Sequence, residues 1–122
     1  MDLVTPALQL VIAIGIVNVW ILRFNRSSTW RGGDARTMTE EFAVYGLSER
    51  FMRLVGALKL TFAALLVIGI WQSTLTPWAA LGMATLMVGA LAMHLKVGDP
   101  VMRSVPALSL FAMSVIVLAT SV

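Results

Sequence analysis

Residues Leu3 to Leu22 read LVTPALQLVIAIGIVNVWIL, twenty positions without a charge. A helix needs about 20 mostly apolar residues to cross roughly 30 Å of hydrocarbon. The strongly polar side chains in this stretch are Gln9 and Asn18. A core helix of a small soluble bundle keeps one polar face toward water, and here there is none. The stretch is therefore read as a lipid-spanning helix. Its leader, Met1-Asp2, is acidic and no small-residue cleavage pattern follows, so a span retained in the mature protein is expected rather than a signal peptide.

Outward from this helix the pattern repeats three times. Leu54 to Thr76 is interrupted only by Lys59, Pro77 to Leu95 passes through Gly82, Gly89 and His94, and a last run from Ser104 or Pro106 to Val122 carries only hydroxyls. Of the 122 residues, 59% are apolar and 12% charged, with mean hydropathy +0.90, against roughly 45–50% and 25% in a soluble domain. The fold expected is all-α: an antiparallel four-helix transmembrane bundle forming one membrane domain over 1–122, with spans at about 3–22, 54–76, 77–95 and 104–122.

The substantial polar segment, Arg23 to Arg53, lies between the first two spans. Arg26 to Asp34 reads as loop. Thr37 and Glu40 form a capping-box pattern that opens a short helix over about 38–46. Met38, Phe42 and Tyr45 recur at helical spacing, Gly46 supplies the stop, and Ser48 can cap the helix that continues into span two. One apolar stripe on so short a helix predicts that it lies flat in the headgroup layer. Phe42 and Tyr45 are then candidates for interfacial docking. Gly33-Asp34 and Gly98-Asp99-Pro100 carry turn chemistry, and Glu49 and Arg53 form an i, i+4 pair on a solvated face.

Eight cations fall on one side of a four-span topology: Arg23, Arg26, Arg31, Arg36, Arg50 and Arg53 in the first loop, Lys96 and Arg103 in the third. The ninth, Lys59, sits toward that same end of its span. The positive-inside rule places these loops in the cytoplasm and both chain ends outward, in a bacterial cytoplasmic (inner) membrane. Trp20 and Trp30 suit the inner interface, Trp71 and Trp78 the outer one. The basic loop reports topology and anionic lipid; nucleic acid is not an expected partner.

The residues Glu41-Phe42-Ala43-Val44-Tyr45-Gly46-Leu47-Ser48, then Gly56-Ala57-Leu58-Lys59-Leu60, and later Gly82, Leu86-Met87, Ala90 and His94 resemble the DoxX-like membrane family over roughly residues 5 to 120. Ser48 stands where that family commonly has proline. The resemblance implies a four-helix integral membrane protein. Some relatives are subunits of thiosulfate:quinone oxidoreductase or of other membrane oxidoreductase complexes.

Ionisable groups in hydrocarbon are functional candidates. Lys59 lies six residues past Arg53, about 9 Å along a helix; Asn18 is five residues before Arg23, and His94 two before Lys96. Packed together, Asn18, Lys59 and His94 would line one pocket beneath the amphipathic helix. A cation, an imidazole and an amide suit a quinone head or an oxyanion, with Met52, Phe62 and Met87 as apolar walls. Each also has a plainer reading: Lys59 snorkelling into headgroups, His94 as an interfacial residue, Asn18 in an interhelical hydrogen bond. Gly82 and Gly89 read as a close helix contact, and the methionines as packing.

Without cysteine there are no disulfides, thiolate metal sites or CxxC chemistry. A single histidine cannot supply a metal site, every Asp and Glu falls outside the four spans, and no phosphate loop or nucleophile elbow is present. The expected protein is no autonomous enzyme. It is an accessory or anchor subunit of a membrane oxidoreductase system that binds a quinone-like ligand, with the lipid bilayer, a soluble oxidoreductase and a second copy of itself as candidate partners. The alternative is a ligand-free membrane scaffold docking through the helix at Thr37–Tyr45. A small-solute channel or transporter is a third reading, disfavoured by the lack of a span-centred charge.

Overall fold

The first apolar stretch forms helix α1, Val4–Val17, which passes without a break into a π-helical turn, Asn18–Leu22. The computed structural model describes residues 3–25 and 31–122. The expectations for Met1-Asp2, for Arg26 to Thr29 in the first loop and for Trp30 at the inner interface fall outside them. The other elements are α2 (Met38–Val44), α3 (Glu49–Ile68), α4 (Thr76–Lys96) and α5 (Val105–Ser121), with short 3-10 turns at Ser73–Leu75 and Val101–Ser104.

The four long helices run up and down in a ring. α1 packs against α3 and α5, and α4 closes the ring between the same two neighbours. Thr5 and Thr120 share a hydrogen bond of 2.9 Å, which places the start of α1 and the end of α5 at the same end of the bundle. Among the described residues four helices, counting the turns contiguous with them, are long and apolar enough to cross a membrane. Their outward faces stay greasy: Ile14, Leu54, Leu81, Leu108 and Ile116 are all exposed. A soluble molecule rarely tolerates contiguous apolar surface on this scale, whereas lipid solvates it. The all-α bundle and its integral membrane character agree with the sequence reading.

The core runs along the bundle axis through Ile12, Ile16, Leu66, Ala79, Ala80, Met83, Met87 and Val117. Gly82 works as a close contact, because a Cβ there would run into the Phe62 ring of α3. Gly89 does not: a Cβ on it would meet nothing within 4 Å. The paired-glycine expectation therefore holds for one of the two.

Span two is shorter at its far end than the apolar run suggests. α3 begins at Glu49, its first turn capped by the Ser48 hydroxyl accepting from the Phe51 N–H at 3.1 Å, and ends at Ile68. The next residues turn rather than continue the helix. The carbonyls freed there find side-chain partners: Gln9 Nε2 donates to the Leu66 carbonyl at 2.7 Å, and the Thr76 hydroxyl donates to that of Gly69 at 3.1 Å. Gln9 is thus buried for a structural reason, since an unpaired helix-end carbonyl in hydrocarbon is costly.

The clearest correction concerns α2. It is capped by Thr37, whose hydroxyl accepts from the Glu40 N–H, while the Glu40 carboxylate accepts from the N–H of Arg36. Its stripe, however, does not lie in headgroups. Met38, Phe42 and Tyr45 are buried against the bundle, with Phe42 edge-on to Trp20 at 5.8 Å between centroids. The apolar face is satisfied within the protein because Trp20 and the α4 end supply a surface for it. Phe42 and Tyr45 are consequently not a docking surface in this arrangement. They form the underside of a lid.

Candidate functional site

Under this lid lies a half-open cavity of about 940 Å³. Asn18, Lys59 and His94 all line it, together with Trp20, Phe42 and Tyr45 of its roof. The three residues singled out in the sequence are therefore brought to one space. Of the walls expected, Met87 lines the cavity, whereas Met52 and Phe62 pack elsewhere in the core. Val55 and Phe51 of α3, Leu86 of α4 and Leu110 of α5 take their place.

Each polar side chain is aimed by a local device. The π turn adds a residue to the last turn of α1, re-phasing the helix; Trp20 seats against Gly56 of α3, where a Cβ would be 2.7 Å from the ring. Asn18 Oδ1 accepts from Arg23 Nε at 3.3 Å. Lys59 sits on α3, whose side chains lean toward the helix N-terminus, and its Nζ reaches over Trp20, 5.1 Å from the ring centroid. From there the aromatic roof runs through Phe42 and Tyr45 to His94, Tyr45 standing edge-on to the imidazole at 6.0 Å.

His94 is set by the end of α4. Gly98 adopts φ +69°, and the Gly98 and Asp99 N–H groups bond back to the carbonyls of Leu95 and His94 at 3.2 and 3.0 Å. This is a Schellman stop. It folds Asp99 over the helix end, so that Asp99 Oδ2 lies 2.7 Å from His94 Nδ1. A carboxylate on Nδ1 favours the tautomer with its proton there, leaving Nε2 as an acceptor. The other oxygen, Oδ1, accepts from the Gly33 N–H at 2.9 Å and from Arg103 at 3.2 Å. Burial alone would raise the Asp99 carboxyl; the Gly33 N–H, His94 and Arg103 outweigh it and hold the group below its ordinary range.

A second polar knot holds the lid. Arg31, almost fully buried, pairs with Glu41 Oε2 at 3.1 Å and donates to the carbonyls of Arg23 and Phe24. Glu41 Oε1 accepts from the Tyr45 hydroxyl at 2.6 Å. Burial first, and then the Glu41 charge, push the Tyr45 hydroxyl above its ordinary value, so it remains a donor. Lys96 Nζ donates to the Tyr45 carbonyl at 2.8 Å, tying α2 to the end of α4.

Sequence reasoning missed Asp99, Glu41 and Arg31 as parts of this site. Arg31 reads as one more loop cation and Asp99 as a turn residue. The signal available for Asp99 is its place directly after a helix-stop glycine, five residues from the histidine. For Arg31 and Glu41 no local signal exists, because their pairing depends on how α2 folds back. The Glu49–Arg53 pair is as expected, at 2.9 Å on an exposed face. No group of three or more metal-binding side chains occurs among the described residues.

No curated protein and no solved structure matches the chain. The family model of the DoxX-like family matches residues 16–119, from the last residues of α1 through the π turn, the lid, α3 and α4 to near the end of α5. With most of the chain matched, this integral membrane protein belongs to the DoxX-like family.

Proposed function

We propose that the protein is a membrane subunit that holds a lipophilic, quinone-like ligand for an oxidoreductase system. One observation carries the reading: Asn18, Lys59 and His94, from three different helices, line a single cavity whose remaining walls are largely apolar. Ligand pockets of roughly 300–1,000 Å³ with a few convergent polar groups are the usual form of a small-molecule site. The Lys59 ammonium and the Asn18 amide supply donors for ring oxygens, and His94 Nε2 supplies an acceptor for a hydroxyl. On α1 and α5 the lining extends seven residues from Asn18 to Val11 and from Pro106 to Met113, roughly 10 Å of depth for a tail.

In this reading the protein binds and orients; the chemistry belongs to a partner oxidoreductase. The basic end faces the cytoplasm of a bacterial inner membrane, the two chain ends outward. The scaffold alternative loses its support, since the residues chosen to dock a partner are buried.

The test is small-molecule mass spectrometry of protein purified in mild detergent, followed by titration with a short-chain benzoquinone. A co-purifying quinone, or saturable binding weakened about tenfold by Lys59→Met, is expected. The absence of both a bound quinone and saturable binding would refute the proposal.

A further inference from the structure

The charges around the cavity do not balance. Among the described residues that line it, Arg23, Arg31, Lys59 and Arg103 face a single carboxylate, Glu41. Both Glu41 oxygens are committed, one to Arg31 and one to the Tyr45 hydroxyl. Asp99, just behind the wall, is occupied by Arg103, Gly33 and His94. Lys59 has no hydrogen bond or ion pair with any described residue; it touches the face of Trp20 and feels the Glu41 charge at longer range than an ion pair. An ammonium inside a span ordinarily pairs with a counter-charge or a carbonyl, and an aromatic face replaces either only in part.

Resting on the reading of this space as a ligand cavity, we infer that its occupant is an amphiphile whose head bears one negative charge, seated on the Lys59 ammonium. A neutral carbonyl head would hydrogen-bond to Lys59 and leave the excess charge in place; an ionised head offsets one unit of it, at Lys59. Two kinds of molecule share that chemistry: a long-chain carboxylate, and a quinone made acidic by a ring hydroxyl. Both also carry the apolar body that the walls formed by Val55, Leu86, Met87 and Leu110 require.

The experiment uses the full chain in a non-ionic detergent at neutral pH and follows tryptophan quenching or calorimetric heat with two matched pairs. One pair is a 2-hydroxy-3-alkyl-1,4-naphthoquinone, ionised at this pH, and its neutral 2-methoxy twin. The other is oleate and oleyl alcohol. The ionised member of at least one pair is expected to bind about tenfold tighter than its twin, because charge-assisted hydrogen bonds are roughly twice as strong as neutral ones. The pair that shows the preference identifies the source. Lys59→Met should abolish the preference, weakening the ionised member of the pair more than its neutral twin, and Lys59→Arg should retain it. Equal binding within both pairs, or a preference that survives Lys59→Met, overturns the anionic head while the cavity reading stands. If none of the four molecules binds, the cavity reading fails with it.

Discussion

Asp99 accepts from three separate parts of the chain: the backbone of the first loop at Gly33, the imidazole of α4, and Arg103 beside α5. Removing it as Asp99→Ala should cost roughly 3 kcal/mol, the low end for breaking a buried pair, because Arg103 is 30% exposed and can turn toward water. The loss is checked by thermal unfolding in detergent. Its pH dependence has a definite sign. A carboxyl whose folded value is depressed contributes fully above its unfolded value, about 3.9, and the contribution disappears as pH falls through the folded value. Wild-type stability should therefore decline below about pH 4, and in Asp99→Ala that part of the decline should be absent. Tyr45→Phe, which strands a Glu41 oxygen, should cost about 1–3 kcal/mol in the same assay. At this scale the sequence was half legible. Asn18, Lys59 and His94 stand out because polar groups are rare within spans, whereas Asp99, Glu41 and Arg31 look like ordinary loop charges until the loops are folded.

Helix periodicity and caps made the elements readable. Thr37, Ser48 and Gly46 act at the ends where their chemistry places them. What periodicity cannot supply is the partner of an apolar stripe: Met38, Phe42 and Tyr45 would satisfy a headgroup layer equally well, and only the position of Trp20 decides otherwise. The end of span two was misplaced for a similar reason, since Gln9 supplies a helix-end carbonyl with a donor from 57 residues away. Glycines within the helices give opposed predictions. Gly56→Ala pushes a Cβ into the Trp20 ring and should destabilise by about 1–3 kcal/mol. Gly89→Ala fills open space inside α4 and should stabilise by up to about 1 kcal/mol. Gly98→Ala must hold a left-handed backbone and should lose roughly 1–2 kcal/mol. Melting curves of the three variants in one detergent would reveal any exchange of sign.

For the molecule as a whole, hydropathy alone sufficed for the four-helix frame. The absence of native cysteine makes its orientation simple to measure. Single cysteines placed at Asp34 and at the chain end, probed with an impermeant maleimide on intact cells and on inverted vesicles, should label from opposite sides, with the chain end reached from outside. Labelling of both from one side would refute the proposed topology. The gap at Gly89 carries one more implication. Seven residues from Lys96, or about 10 Å along the helix, this exposed glycine lines the cavity, and a Cβ on it would meet nothing within 4 Å, which in the proposed topology leaves the wall thin at a depth of hydrocarbon. A molecule entering there never dissolves in water. Its delivery is then governed by partitioning into lipid, so occupancy should track mole fraction in the bilayer, and diluting the surrounding aqueous phase at constant lipid composition should leave it unchanged.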